Sequence, residues 1–293
     1  MVRFNLKWTF AFALCLISLK LSAQDDDLLG DEPAVSIDNR VNFAFKTTKV
    51  INLQSLEMLG PGVFDFKMNH RFGAFNNGPI NAFGLDFATI RFGGEYGINR
   101  ILMAGIGRSN VSGSKNVDGY LKYRVFQQTS DNKKPFSLLL FYGIENKIGP
   151  SYSDVNSSKR LTSVAQVIIG RKFNETFSAQ FSPSYVMGYN SYNAAFNQVA
   201  LGLGMRMKLT MRTTLNAEWI PILTNKGLVR NSASIGFDIE TGGHVFQVHF
   251  TNSSGLNEAQ FISNTHDTWD TYGIRFGFNL SRVFTIVNPS KFK

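Results

Sequence analysis

The sequence predicts an all-β fold, a transmembrane antiparallel up-and-down β-barrel of about twelve strands preceded by a short N-terminal segment. Three observations point there. Ten-residue stretches in which every second side chain is apolar recur from Val63 to the C-terminus, as where Tyr272, Ile274, Phe276, Phe278 and Leu280 alternate with Gly273, Arg275, Gly277 and Asn279. A strand repeats its side chains every two residues, and about nine to eleven tilted residues cross a bilayer, so one set can face lipid and the other water. Beyond the leader, no stretch approaches about 18 continuous apolar residues, which excludes a helical membrane protein. Finally, 43% of the chain is hydrophobic and Phe occurs 27 times, yet the average looks polar because outward apolar and inward polar residues of a barrel cancel in any window.

The first residues read as a secretory signal, 1–23. Arg3 and Lys7 form a positive region, Trp8 to Leu19 an apolar run, and Leu21-Ser22-Ala23 a small-residue cleavage site. The apolar run is short of the roughly 20 residues a membrane helix needs. Cys15, the only cysteine, leaves with this segment, so the mature chain is expected to hold no disulfide or cysteine metal site. The formal charge of +9 falls to +6 on losing Arg3, Lys7 and Lys20. The remaining Lys and Arg are scattered singly, unlike a polyanion-binding face, so no nucleic-acid partner is expected.

Twelve strands are expected at Val63–Phe72, Phe87–Gly97, Ile101–Arg108, Val117–Gln127, Phe136–Asn146, Leu161–Phe173, Thr176–Met187, Phe196–Leu209, Thr213–Ile222, Asn231–Thr241, His244–Asn252 and Thr271–Phe284. Short links such as Asn174-Glu175 and Gly242-Gly243 alternate with longer polar ones, including Ser109–Asn116, Lys147–Arg160, Leu223–Arg230 and Ser253–Asp270. Outer-membrane barrels have short periplasmic turns and longer external loops. The expected location is therefore the bacterial outer membrane with both termini periplasmic. Strand eight shows the facing: Val199, Leu201, Leu203, Met205 and Met207 against Gln198, Gly202, Gly204, Arg206 and Lys208. Strands three and five are blurred, and Pro183 and Pro221 suggest bulges. A secreted β-sandwich also alternates, but about seven strands of five or six residues would be typical of it.

Met68-Asn69-His70-Arg71-Phe72-Gly73, Gly242-Gly243-His244-Val245-Phe246-Gln247 and His249-Phe250-Thr251-Asn252-Ser253 together resemble an uncharacterised family of Gram-negative outer-membrane β-barrels that carries a domain-of-unknown-function label. The resemblance covers most of the mature chain. It implies fold and location and brings no assigned activity.

Residues 24–62 precede the barrel, which occupies 63–293. Asp25-Asp26-Asp27 and Asp31-Glu32 make an acidic start, expected as a solvated tail. Val50, Leu53, Leu56 and Leu59 recur every three residues before Gly60-Pro61-Gly62, which predicts a short helix that either plugs the mouth or lies at the periplasmic interface.

Parity assigns Lys67, Arg71, Arg91, Glu95, Lys122, Arg124, Arg206, Glu218, Asp238 and Arg275 to the lumen as candidate lining residues, with Asp65, Lys208, Glu145 and Glu240. Mixed signs suit either a selective polar channel or a salt-bridged interior that blocks flow. Eight strands are filled by side chains, sixteen hold a channel, and twelve fall between. The expected partners are outer-membrane lipid and a small polar solute. Neither a cofactor nor a metal is expected, and no catalytic residue emerges. Outward His70, the best enzymatic candidate, has Phe87 and Tyr272 on the adjoining strands and no outward Ser within reach. The reading is a small passive channel or a structural envelope protein. The alternatives are a surface-exposed binding protein using the Ser253–Asp270 loop with Phe261 and Trp269, and a lipid-modifying outer-membrane enzyme.

Overall fold

A computed structural model of the chain describes residues 39–111, 114–149, 152–189, 194–225 and 227–288. The expected signal peptide and the acidic residues after it lie outside the described residues. Twelve strands form one sheet: β1 (Val63–Phe72), β2 (Ala88–Gly97), β3 (Leu102–Val111), β4 (Ser114–Phe126), β5 (Ser137–Ile148), β6 (Leu161–Lys172), β7 (Phe177–Tyr189), β8 (Ala195–Lys208), β9 (Thr213–Ile220), β10 (Ser232–Thr241), β11 (His244–Thr251) and β12 (Arg275–Thr285). Each pairs antiparallel with its sequence neighbours, and β1 pairs with β12, Val63 opposite Thr285 and Arg71 opposite Gly277. Closure leaves no strand edge whose N–H and C=O groups would be stranded in hydrocarbon.

The period of two places the residues as the sequence suggests. Phe92, Ile106, Leu121, Ile144, Phe181, Leu203, Trp219 and Phe237 stand exposed on the outside. Their strand neighbours point inward and are buried, including Arg91, Lys122, Glu145, Gln180, Ser182, Arg206, Glu218 and Asp238. Across strands, Leu203 lies opposite Phe181 on one side and Trp219 on the other, so the outer surface is a continuous apolar band. The blurred strand five resolves with Leu139 and Phe141 inside.

One end of the barrel carries short turns, apart from the longer connection 127–136 between β4 and β5. There, Gly242 (φ +54°) and Gly243 (φ +97°) make the two-residue link between β10 and β11, a left-handed conformation in which a Cβ would be strained. The opposite end carries the longer connections, among them residues 252–274 with the helix α1 (Glu258–Ser263).

Four expectations are corrected. Ser109–Asn116 is not a long loop, because β3 runs on to Val111 and β4 begins at Ser114. β12 begins at Arg275, not Thr271. Tyr272 has φ +54°, and the carbonyls of Tyr272 and Ile274 accept from Asn76 N and Phe75 N in the β1–β2 connection, so this stretch leaves the sheet. Pro183 makes no bulge: Gln166 opposite Ser184 and Ile169 opposite Phe181 keep one register across it, with only its ladder bond missing. Pro221 likewise keeps the β8–β9 register, its carbonyl accepting from Leu201 N at 3.0 Å. The one register shift within the named pairings lies between Arg124 and Phe126 of β4.

The segment 39–62 is a further correction. It contains no helix. Lys49 and Gln54 face each other as a bridge, Val50 N donates to Leu53 O at 2.8 Å and Ser55 N to Thr48 O at 2.9 Å, so the chain makes a tight hairpin inside the barrel. The spacing of three reflects which residues meet apolar wall from a turn, not a helical face.

Candidate functional site

The interior is built where that hairpin meets the inward side chains. Its tip, Ile51 to Leu53, aims three backbone N–H groups at the Glu218 carboxylate, at 3.2 Å from Ile51, 2.9 Å from Asn52 and 3.0 Å from Leu53. The Asn52 amide adds a fourth bond at 2.7 Å. A carboxylate taking several N–H donors away from water forms strong charge-assisted bonds. Arg71 closes the other side, donating to Asn52 Oδ1 and Asn279 Oδ1, both at 2.8 Å.

Other expected lining residues hold the two limbs of the hairpin. Glu95 accepts from Thr48 and from the Tyr120 hydroxyl, and Lys67 bonds Thr48 while lying 3.2 Å from Glu95 and 3.6 Å from Asp65. Lys122 donates to Glu57 O at 2.7 Å. Arg206 donates to Phe43 O at 2.9 Å and Ala44 O at 3.1 Å. Asp238 acts at one remove: it accepts from Gln247, whose amide also donates to Val50 O. Six of the ten candidates thus touch the hairpin directly.

The remaining three do not. Arg91 forms a two-pronged pair with Asp118 at 2.8 and 2.6 Å. Arg275 is tied to Asp267 in the long β11–β12 connection. Arg124 is only half-buried and donates to Arg100 O at 3.3 Å, at the short-turn end. Of the other inward assignments, Glu240 stands largely exposed beside Lys46.

The β11–β12 connection fills the lumen from the opposite end. Asn257 caps α1 by accepting from Gln260 N at 3.0 Å. Gln260 reaches Ser109 and Glu145 of the wall. Phe261 and Ile262 are wholly buried. The two intrusions meet: Glu258 of α1 pairs with Lys49 at 2.6 Å and accepts from Gln54 at 3.0 Å. Around this junction Phe45, Val50, Leu53, Leu56, Phe261 and Ile262 form a core with Leu139, Phe141, Val164, Ile168 and Val186 of the wall. Inward Gly202 leaves the space this needs, since a Cβ there would stand 2.8 Å from Leu53.

Sequence reasoning missed Lys49, Asn52, Gln54 and Glu258. A signal was available, since Lys49, Asn52 and Gln54 interrupt an apolar run, and Asn257-Glu258 opens a helix inside an otherwise polar loop.

Outward His70 stacks on Phe278 with ring centres 4.9 Å apart and meets Phe72 edge-on at 4.4 Å. Its cross-strand partners are Phe278 and Ile90. Among the described residues, no group of three or more His, Cys, Asp or Glu could hold a metal ion.

A closed sheet with an apolar exterior and a polar, internally paired lumen defines a membrane-bound β-barrel. Residues 45–284 match the family described as "Membrane bound beta barrel domain (DUF5777)", and the chain belongs to it. No curated protein matches the sequence. Among solved structures it is similar to the KdgM porin, determined in complex with disordered oligogalacturonate, at 9% identity and a TM-score of 0.49 over 76% of this chain and 99% of that one. It is also similar to the NanC porin, at 8% identity and 0.49 over 75% and 98%. Outer membrane phospholipase A from Escherichia coli is similar at 12% identity and 0.44 over 75% and 92%.

Proposed function

We propose that this protein is an outer-membrane barrel that is closed at rest, a structural envelope protein in place of an open passive channel. In this reading the short turns and both termini face the periplasm, and the long connections face outward, as the usual asymmetry of such barrels requires. The observation that carries it is the contact of Lys49 and Gln54 with Glu258 inside the lumen, where a segment from the short-turn end meets a loop from the other. A core surrounds that junction, so an open path would expose apolar wall to water at about 25 cal/mol per Å².

The other readings find less support. Phe261 is buried and the Trp269 indole donates to Ala233 O at 3.2 Å, so the long loop offers no free pair of aromatic anchors. His70 is packed among Phe72 and Phe278, and the pairing puts no hydroxyl opposite it for nucleophilic attack. The decisive experiment is single-channel recording of the intact mature protein in a planar bilayer. Silence from correctly folded protein is the expected result, and discrete conductance steps overturn the closed state.

A further inference from the structure

At the short-turn end the filled lumen stops short of the mouth. A cavity of about 470 Å³ remains between both limbs of the hairpin and the strand ends. This lies within the usual size of small-molecule sites, roughly 300–1,000 Å³. Phe45, Met58, Leu59, Val245 and Val283 give it an apolar lining.

The charges around it are not all spoken for. Lys46 is bound by Glu240, and Lys172 is bound by Glu175 at 2.9 Å. Asp65 accepts from Ser281 at 2.7 Å with Lys67 nearby. Glu57 accepts from Phe45 N at 3.2 Å. Among the described residues the Lys208 ammonium has neither a hydrogen bond nor an ion pair, and Glu175, which feels its charge, is already held by Lys172. Arg206, two residues earlier on the same face of β8, uses one nitrogen on Phe43 O and Ala44 O. An unpaired cation in a low-dielectric cleft draws in anions.

We propose that this cavity binds an amphiphilic anion, a molecule with one anionic head held by Arg206 and Lys208 and an apolar body laid along Phe45, Met58, Leu59, Val245 and Val283. This goes beyond the closed-barrel reading and does not depend on it. The ligand would touch both limbs of the hairpin, because Phe43 and Phe45 to Thr48 from one limb and Glu57 to Leu59 from the other line the cavity.

The experiment is titration of octanoate into the full mature protein in lipid nanodiscs, with empty nanodiscs subtracted, alongside octanol and octyltrimethylammonium. Saturable octanoate binding is expected, with octanol at least tenfold weaker and the cation not binding. Lys208→Gln removes the free charge from a half-exposed position and is expected to weaken octanoate at least tenfold. Val283→Trp leaves every charge in place and narrows the apolar part of the cavity, and is expected to weaken octanoate at least tenfold while heat-modifiable migration shows a folded barrel. Equal binding of octanol and octanoate, no saturable octanoate binding, or an unchanged affinity in Lys208→Gln overturns the proposal.

Discussion

Replacing Glu218 by Ala should unseat the interior hairpin while leaving the barrel wall intact. The carboxylate is the acceptor for three backbone N–H groups, those of Ile51, Asn52 and Leu53, and for the Asn52 amide. The amide keeps a second acceptor in Ser234 Oγ at 2.9 Å, so the substitution orphans chiefly the three backbone donors. Each buried donor deprived of its acceptor costs about 1–3 kcal/mol. The three share one carboxylate, so their losses do not add. Water entering the vacated volume returns part of the cost, which leaves about 3–5 kcal/mol. Three of those already raise the unseated population about a hundredfold. When opening and closing are fast, proteolysis tracks that population. Limited proteolysis in nanodiscs should therefore cut within residues 39–58 at least about a hundred times faster in Glu218→Ala, with barrel migration unchanged. The lipid-facing control Ile235→Ala should be cut there at the wild-type rate. If Glu218→Ala is no more sensitive than the control, the carboxylate does not hold the hairpin and the argument fails.

Two further perturbations address the wall and the protonation of the interior. Leu203→Lys faces the apolar exterior and should cost about 2–4 kcal/mol if it sits at the bilayer midplane, read by unfolding from lipid vesicles; a neutral result removes the facing of β8. Glu57, in the returning limb, has its carboxyl pushed above its usual 4.5 by burial, against the opposing Phe45 N–H and the charges of Arg124 and Lys122. The seated state then binds that proton more tightly than the released state, so seating is weakest above the raised value and strengthens as pH falls through it toward 4.5. Cleavage of the hairpin should slow accordingly on acidification, and Glu57→Gln should flatten that part of the profile; an identical profile in the variant refutes the assignment.

The wall was legible in the sequence because a lipid-exposed barrel leaves a period-two record on nearly every strand. The alternation delimits Val63–Phe72 to the residue and most other strands to within one or two. The errors fall where another interaction outweighs the pattern. Tyr272 and Ile274 continue the alternation of β12, but their carbonyls are taken by Asn76 and Phe75. The interior was legible only as a set of charges. Parity puts Arg91 inside, but cannot show that it is locked to Asp118 and so unable to act as a free selectivity charge. Parity likewise puts Gly204 on the inward face, but cannot show that a Cβ there would stand 3.1 Å from Val50. Residues far apart in sequence make the junction, Lys49 with Glu258, and no local period encodes such a pair.

The hairpin also lies across the line where the first and last strands meet. Ile51 O accepts from Asn279 of β12 at 3.1 Å, while Asn52 Oδ1 accepts from Arg71 of β1 at 2.8 Å. Neighbouring residues of one tight turn thus grip both lips of the closing seam. The insert therefore ties β12 to β1 from the inside, in addition to the ladder between them. Parting of these two strands, the natural weak line of any cylinder closed end to end, would have to break the insert's bonds as well as the ladder. An empty barrel of the same twelve strands would lack that brace.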